Sequence, residues 1–161
     1  MRAFLDRPGV PGAFGALMDE YGRAAEGFCR VVETFDAKRF DRERPGNHPD
    51  TRTPRLVATH VVECARRYAD YIRKARGLPF EDRHVTDPAA LVAPRDVRGL
   101  LRDGLRYTEG ALEGFYDADD SKIRAHEFTV RWGVRYDPEM LLEHAIVHLL
   151  RHRRQLERWE A

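Results

Sequence analysis

At 161 residues the chain has the size of one ordinary domain, large enough to bury a core, so residues 1–161 are read as a single unit. Its 28 basic and 27 acidic side chains nearly cancel, and a formal net charge of +1 argues against a dedicated nucleic-acid binder. No segment approaches the ~20 apolar residues of a membrane span, and the N-terminal MRAFLDRPGVPGAF, broken by two prolines, lacks the apolar run of a signal peptide. Cys29 and Cys64 make no disulfide framework in a domain of this size, and a reducing, cytoplasmic setting is expected.

The first predicted helix runs from about Gly12 to Phe35. Phe14, Met18, Tyr21, Ala25, Phe28, Val32 and Phe35 alternate steps of four and three, the spacing of a helix packed in a bundle. From Asp36 to Thr53 that pattern vanishes, and Pro-Gly and Asn-His-Pro mark a loop with room for a short turn. A second helix opens with Thr53 as N-cap and Pro54 at its first position, continues to Arg76 and stops at Gly77. Val57, Val61, Cys64, Ala65, Tyr68 and Ile72 cover its inward face, with His60 on the edge and Cys64 one turn further along.

Leu78 to Ala93 is irregular. The third helix extends from near Pro94 to near Tyr116, with Val97, Leu101, Leu105, Thr108, Leu112 and Phe115 as its inward stripe. Gly99, Gly104, Gly110 and Gly114 each weaken it by up to ~1 kcal/mol relative to alanine. That helix depends on tertiary packing, and its small residues permit close approach by a neighbour. The period then changes. Phe128, Val130, Trp132, Val134 and Tyr136 alternate with Thr129, Arg131, Gly133 and Arg135, which predicts an extended segment with one face covered, a short strand or hairpin arm over one end of the bundle.

Asp137 and Pro138 cap and open the fourth helix, which carries LLEHAIVHLLRHRRQLERW from Leu141 to Trp159. With His144 at zero, the helical turn places His148 near ~40°, His152 near ~80° and Gln155 near ~20°. Leu141, Ala145, Leu149, Leu156 and Trp159 fall at roughly 60° to 140°. His148 and His152 therefore lie within the apolar stripe, and His144 lies on its border. Ile146, Val147 and Leu150 form a second apolar face. Cover from within the chain is expected for it, with a partner subunit as the other option. The basic run Arg151-His152-Arg153-Arg154 reads as a solvated helix end.

Four amphipathic helices imply an all-α, antiparallel four-helix bundle. A core stripe that carries imidazoles requires partners for them, because a buried polar ring must be satisfied. His-x3-His on one helix presents two imidazoles to one ion, and a third ligand comes from a facing helix. His60 is the only predicted helical histidine outside the fourth helix. A set of His60, His148 and His152 leaves positions for water or substrate, as in catalytic metal sites. His144 is an alternative ligand or a hydrogen-bonding support. Cys64 is a soft ligand, a redox thiol or a plain core residue. Gln155 and Arg153 are candidates to orient water or substrate, with an exposed Arg153 as the simpler view. Tyr68 and Tyr71 line the cavity or belong to the core. His48, His84 and His126 are expected to be solvated. The competing reading is a non-catalytic, structural or dimerising bundle whose histidines bond carbonyls and carboxylates such as Glu143, since no Asp or Glu occupies the inward stripe of the fourth helix. HExxH, the paired Glu-x-x-His motifs of di-iron sites, phosphate-binding glycine loops and Gly-x-Ser-x-Gly are absent.

His148-Leu-Leu-Arg-His152-Arg-Arg-Gln155 resembles the H-x3-H-R-G-Q that ends the last helix of the DinB/YfiT-like superfamily of metal-dependent bundles, with Arg154 where that family often has glycine. Trp132-Gly-Val-Arg-Tyr136 and Glu143-His-Ala-Ile-Val-His148 are similar to one branch of it, and His60 matches its second-helix histidine. Helix order and loop placement resemble the family along the whole chain, but only the fourth helix is specific. The resemblance implies an up-down-down-up bundle with a long crossover connection. It also implies His60, His148 and His152 holding a divalent metal such as nickel or zinc, and a homodimer. Characterised relatives are transferases, isomerases or hydrolases of small molecules that use a low-molecular-weight thiol. Arg154 in place of glycine affects the outer side of the helix rather than the ligands.

Overall fold

Apolar side chains spaced by threes and fours produce four long helices in the computed structural model, which describes residues 4–44, 48–82 and 91–160. In chain order the elements are α1 (Ala13–Val32), the short α2 (Ala37–Phe40), α3 (Pro54–Ala75), α4 (Asp96–Ala111), the short α5 (Asp120–Arg124) and α6 (Pro138–Glu160). A 3-10 turn, Pro49–Thr51, precedes α3, and a hairpin of β1 (Phe128–Thr129) and β2 (Arg135–Tyr136) precedes α6. The chain is thus predominantly helical. None of its described helices is long and apolar enough to cross a membrane.

Local chemistry sets the ends of α3. The Thr53 hydroxyl accepts the Leu56 N–H at 3.1 Å, with Pro54 in the first turn. At the other end Gly77, at φ +68°, lets its own N–H reach the Lys74 carbonyl and the Leu78 N–H reach the Arg73 carbonyl, which satisfies the last turn. The other boundaries differ from the sequence reading. α1 stops at Val32, and two tight turns carry Phe35 into the core beyond it. α4 spans Asp96–Ala111 rather than Pro94 to Tyr116, while Leu112 and Phe115 stay fully buried after it ends. The short helices α2 and α5 are capped by Asp36 and Asp119, whose carboxylates accept the N–H groups of Arg39 and Lys122.

The alternating run is not one covered strand. Phe128 pairs with Tyr136 and Thr129 with Arg135, and the chain reverses between them through Gly133 at φ +84°. Val130 is buried at the reversal, whereas Trp132 and Val134 are 41% and 42% exposed. The period of two folds back on itself instead of facing one surface.

α3 packs on α4 and on α6, and α1 packs on α6 and on α4. Between α3 and α4, Gly104 leaves room for Ala65, whose Cβ would stand 3.2 Å from a Cβ at position 104. Further along, Arg73 donates to the Tyr107 carbonyl at 3.0 Å, and Arg76 donates to the carbonyls of Ala111 and Glu113. Residue numbers rise together along this pair. Between α3 and α6 they run oppositely, with Tyr68 against His144 and His60 against His152. Between α1 and α4 they also run oppositely: Arg98 bridges Glu26 and Glu33, and Phe14 packs on Phe115 beyond the far end of α4. The expected cover for the second face of α6 is missing, because Val147 and Leu150 are 61% and 44% exposed and only Ile146 packs against the core. His48 and Thr51, at the 3-10 turn, share a cleft with Val147 and Leu150 but leave both side chains exposed.

Candidate metal centre

Asp137 starts α6 by accepting the Met140 N–H at 2.8 Å, and the helix then stacks His144, His148 and His152 on successive turns. α3 crosses this ladder in the opposite direction and brings His60 to it. The Nε2 atoms of His60 and His148 are 3.0 Å apart. The His60 ring centroid is 5.0 Å from those of both His148 and His152, which are 4.6 Å from each other. One ring nitrogen from each of the three lies within 4.8 Å of the others. Two imidazole nitrogens bound to one ion at about 2.0–2.1 Å stand roughly 2.9–3.4 Å apart for angles from octahedral to tetrahedral. The His60–His148 separation fits that range, and His152 has a ring nitrogen within 4.8 Å of both.

The three rings are prepared as neutral donors. Burial pushes His148 down to about 2, with its histidine neighbours adding to the effect. Burial and then His152 push His60 down to about 4, and burial also lowers His152. His152 Nδ1 lies 2.9 Å from Gln155 Oε1, an atom that can only accept, so the ring proton sits on Nδ1 and Nε2 keeps its lone pair. Gln155 is itself oriented, because its Nε2 donates to the Thr51 carbonyl at 3.2 Å. Such a second hydrogen bond to a ligating histidine fixes its tautomer and raises its basicity. The donor set, its protonation and this support all suit a divalent cation of nickel or zinc type.

The remaining candidates take other places. His144 Nδ1 lies 3.1 Å from the Tyr136 hydroxyl, and its ring stacks on Trp132 at 5.5 Å, so it belongs to an aromatic wall beside the three nitrogens. The Tyr68 ring stands perpendicular to those of both His144 and His148. Cys64 Sγ is 3.7 Å from His60 Nε2 but outside the three mutually close ligand atoms, and burial raises its thiol pKa. Arg153 pairs with Glu157 at 2.7 Å and packs beside Gly27 of α1, away from the histidines. Tyr71 stacks on Phe128, and its hydroxyl accepts the Arg131 N–H at 3.0 Å. Glu143 is exposed. His126 is not simply solvated: Nδ1 donates to the Lys122 carbonyl at 2.7 Å and the ring meets the Phe115 ring edge-on. His48 is exposed at the rim of the site, and His84 lies outside the described residues.

The three histidines open into a cleft of about 730 Å³, a size suited to a small molecule. Arg67, Arg131 and Arg151 line it with Asp50 and Glu63. The sequence reading missed these charged residues, although Arg67 stands seven residues after His60 and so two turns along the same helix face. No protein-family model matches the chain, and no curated protein is significantly similar to it.

Proposed function

We propose that this chain is a divalent-metal-binding four-helix bundle, up-down-down-up in order, that works as a metal-dependent enzyme on a small molecule through His60, His148 and His152. The bundle order is supported by residue pairs that rise together along α3 and α4 and run oppositely along α3 and α6 and along α1 and α4. The centre is supported above all by the 3.0 Å approach of two neutral imidazole nitrogens from different helices. Gln155 accepts from His152 Nδ1 and so leaves Nε2 of that ring with its lone pair. The resemblance of the fourth helix to DinB/YfiT-like bundles favours nickel or zinc and a low-molecular-weight thiol as co-substrate.

A divalent ion held by three protein ligands supplies Lewis acidity and lowers the pKa of a water or thiol that joins it. The chain contributes the rest. Gln155 sets the His152 tautomer, Tyr68 and the Trp132–His144 pair wall the site, and burial keeps the imidazoles deprotonated. Two buried free cysteines agree with a reducing, cytoplasmic setting. Metal analysis of tag-free protein tests the centre. About one equivalent of nickel or zinc is expected, and less than about 0.1 equivalent after supplementation overturns the reading.

The exposed Met140, Val147 and Leu150 on α6 favour a homodimer, and they are also what a non-catalytic dimerising bundle needs. Sedimentation of Val147→Glu against the parent chain tests the pairing. Retention of metal by a monomeric variant separates the centre from any dimerising role.

A further inference from the structure

We propose that Arg67, Arg131 and Arg151 bind an anionic group, carboxylate or phosphate, of the small molecule on which the histidine centre acts. The inference rests on the reading of His60, His148 and His152 as a metal centre and names the substrate class of that same cleft. Its basis is the company the arginines keep. They come from α3, the hairpin turn and α6, yet all three line the cleft that holds the histidines. None of the three has an ion-pair partner among the described residues. Arg30, Arg55, Arg66, Arg98, Arg106 and Arg153 each pair with a carboxylate.

Two carboxylates share the cleft. Asp50 lies 3.7 Å from His48 Nδ1, and Glu63 stands one turn before Arg67 on α3. Among the described residues, three guanidiniums stand against two carboxylates in the wall, and a bound dication adds to the positive side. Guanidinium groups with no ion-pair partner among the described residues, beside the proposed metal centre, suit bidentate recognition of carboxylate or phosphate oxygens.

Calorimetric titration of nickel-loaded protein with succinate, with inorganic phosphate and with neutral succinamide tests this. Saturable, salt-sensitive binding of an anion but not of succinamide is expected, weakened about tenfold or more in Arg67→Gln and in Arg131→Gln. The stronger of the two anions identifies carboxylate or phosphate as the group recognised. Nickel content and thermal midpoint, measured on the same variants, are expected to stay at parental values. The titrations are repeated on nickel-free His148→Ala protein. Anion binding that persists there and still depends on Arg67 supports the anion subsite even if the metal reading fails. Equal binding of succinamide, indifference to both arginine substitutions, or no anion binding by the parent protein overturns the proposal. Nickel content then still decides, independently, whether the histidines bind a metal.

Discussion

Gln155 Oε1 lies 2.9 Å from His152 Nδ1, while the same amide donates to the Thr51 carbonyl. One side chain therefore ties a ring tautomer on α6 to the turn that leads into α3. Gln155→Leu is expected to weaken nickel or zinc binding by about 10–100-fold with every ligand still present. Gln155→Glu, which keeps an acceptor, should recover most of the loss. Competition against a chromophoric chelator measures both, and an unchanged affinity in the leucine variant would assign Gln155 to tethering alone.

His144 and His148 are neighbours on one helix with different expected roles. His148→Ala should reduce bound metal from about one equivalent to less than about 0.1. His144→Ala should retain the ion, because that ring is engaged by Tyr136 and Trp132 rather than by the converging nitrogens. Elemental analysis of the two variants side by side decides the assignment. Loss of metal in both would bring His144 into the ligand set.

Acid should destabilise the metal-free fold in a defined window. His148 is held down to about 2 and His60 to about 4, against an ordinary value of 6.5. In the unfolded chain both rings recover that ordinary value and take up protons below it. Stability is therefore complete above about pH 6.5 and is lost progressively as the pH falls through about 4 and below. Glu26 and Asp41 are held low by bonds from Arg98 and Arg55, and their stabilisation fades only below their ordinary 4.5 and 3.8. Glu139, raised above 4.5 by burial, acts in the opposite sense as the pH falls, so a decline in stability between pH 6.5 and 5 reports the histidines. Thermal midpoints should decline there in the parent chain and much less in His148→Leu; equal slopes would refute the assignment.

Two glycines of α4 should respond in opposite directions. A Cβ at position 104 would stand 3.2 Å from the Ala65 Cβ, so Gly104→Val is expected to cost about 1–3 kcal/mol through forced separation of α3 and α4. Gly99 has nothing within 4 Å of such a Cβ, and Gly99→Ala should add about 0.5–1 kcal/mol by lowering the entropy of the unfolded chain. Chemical denaturation of both variants measures the contrast.

The sequence revealed most where local chemistry is strong. Thr53, Pro54 and Gly77 mark the ends of α3 because capping depends on the residue in place. The ends of α1 and α4 were overrun because apolar periodicity reports burial, and Phe35, Leu112 and Phe115 remain buried after their helices stop. Alternation likewise reads the same along a straight strand and along two arms of a reversal, and Gly133 is the local mark of the difference. The meeting of His60 with His148 and His152 was legible from facing apolar stripes. The arginine rim was not, since a cation facing a cleft has the same sequence signature as one facing water. For the same reason nothing in the pattern distinguished a covered Val147 from the exposed one.

The short nitrogen–nitrogen contact joins points 88 residues apart in the chain. An ion gripping both ends acts as a reversible cross-link, closing a long loop that the unfolded chain would have to leave open. Loop-closure entropy grows only slowly with length, yet a bridge of this span still restricts much of the disordered ensemble. For the proposed metal-bound chain, chelation should therefore cut the strap between the second and last long helices. Cellular metal supply would then govern how long the folded chain survives.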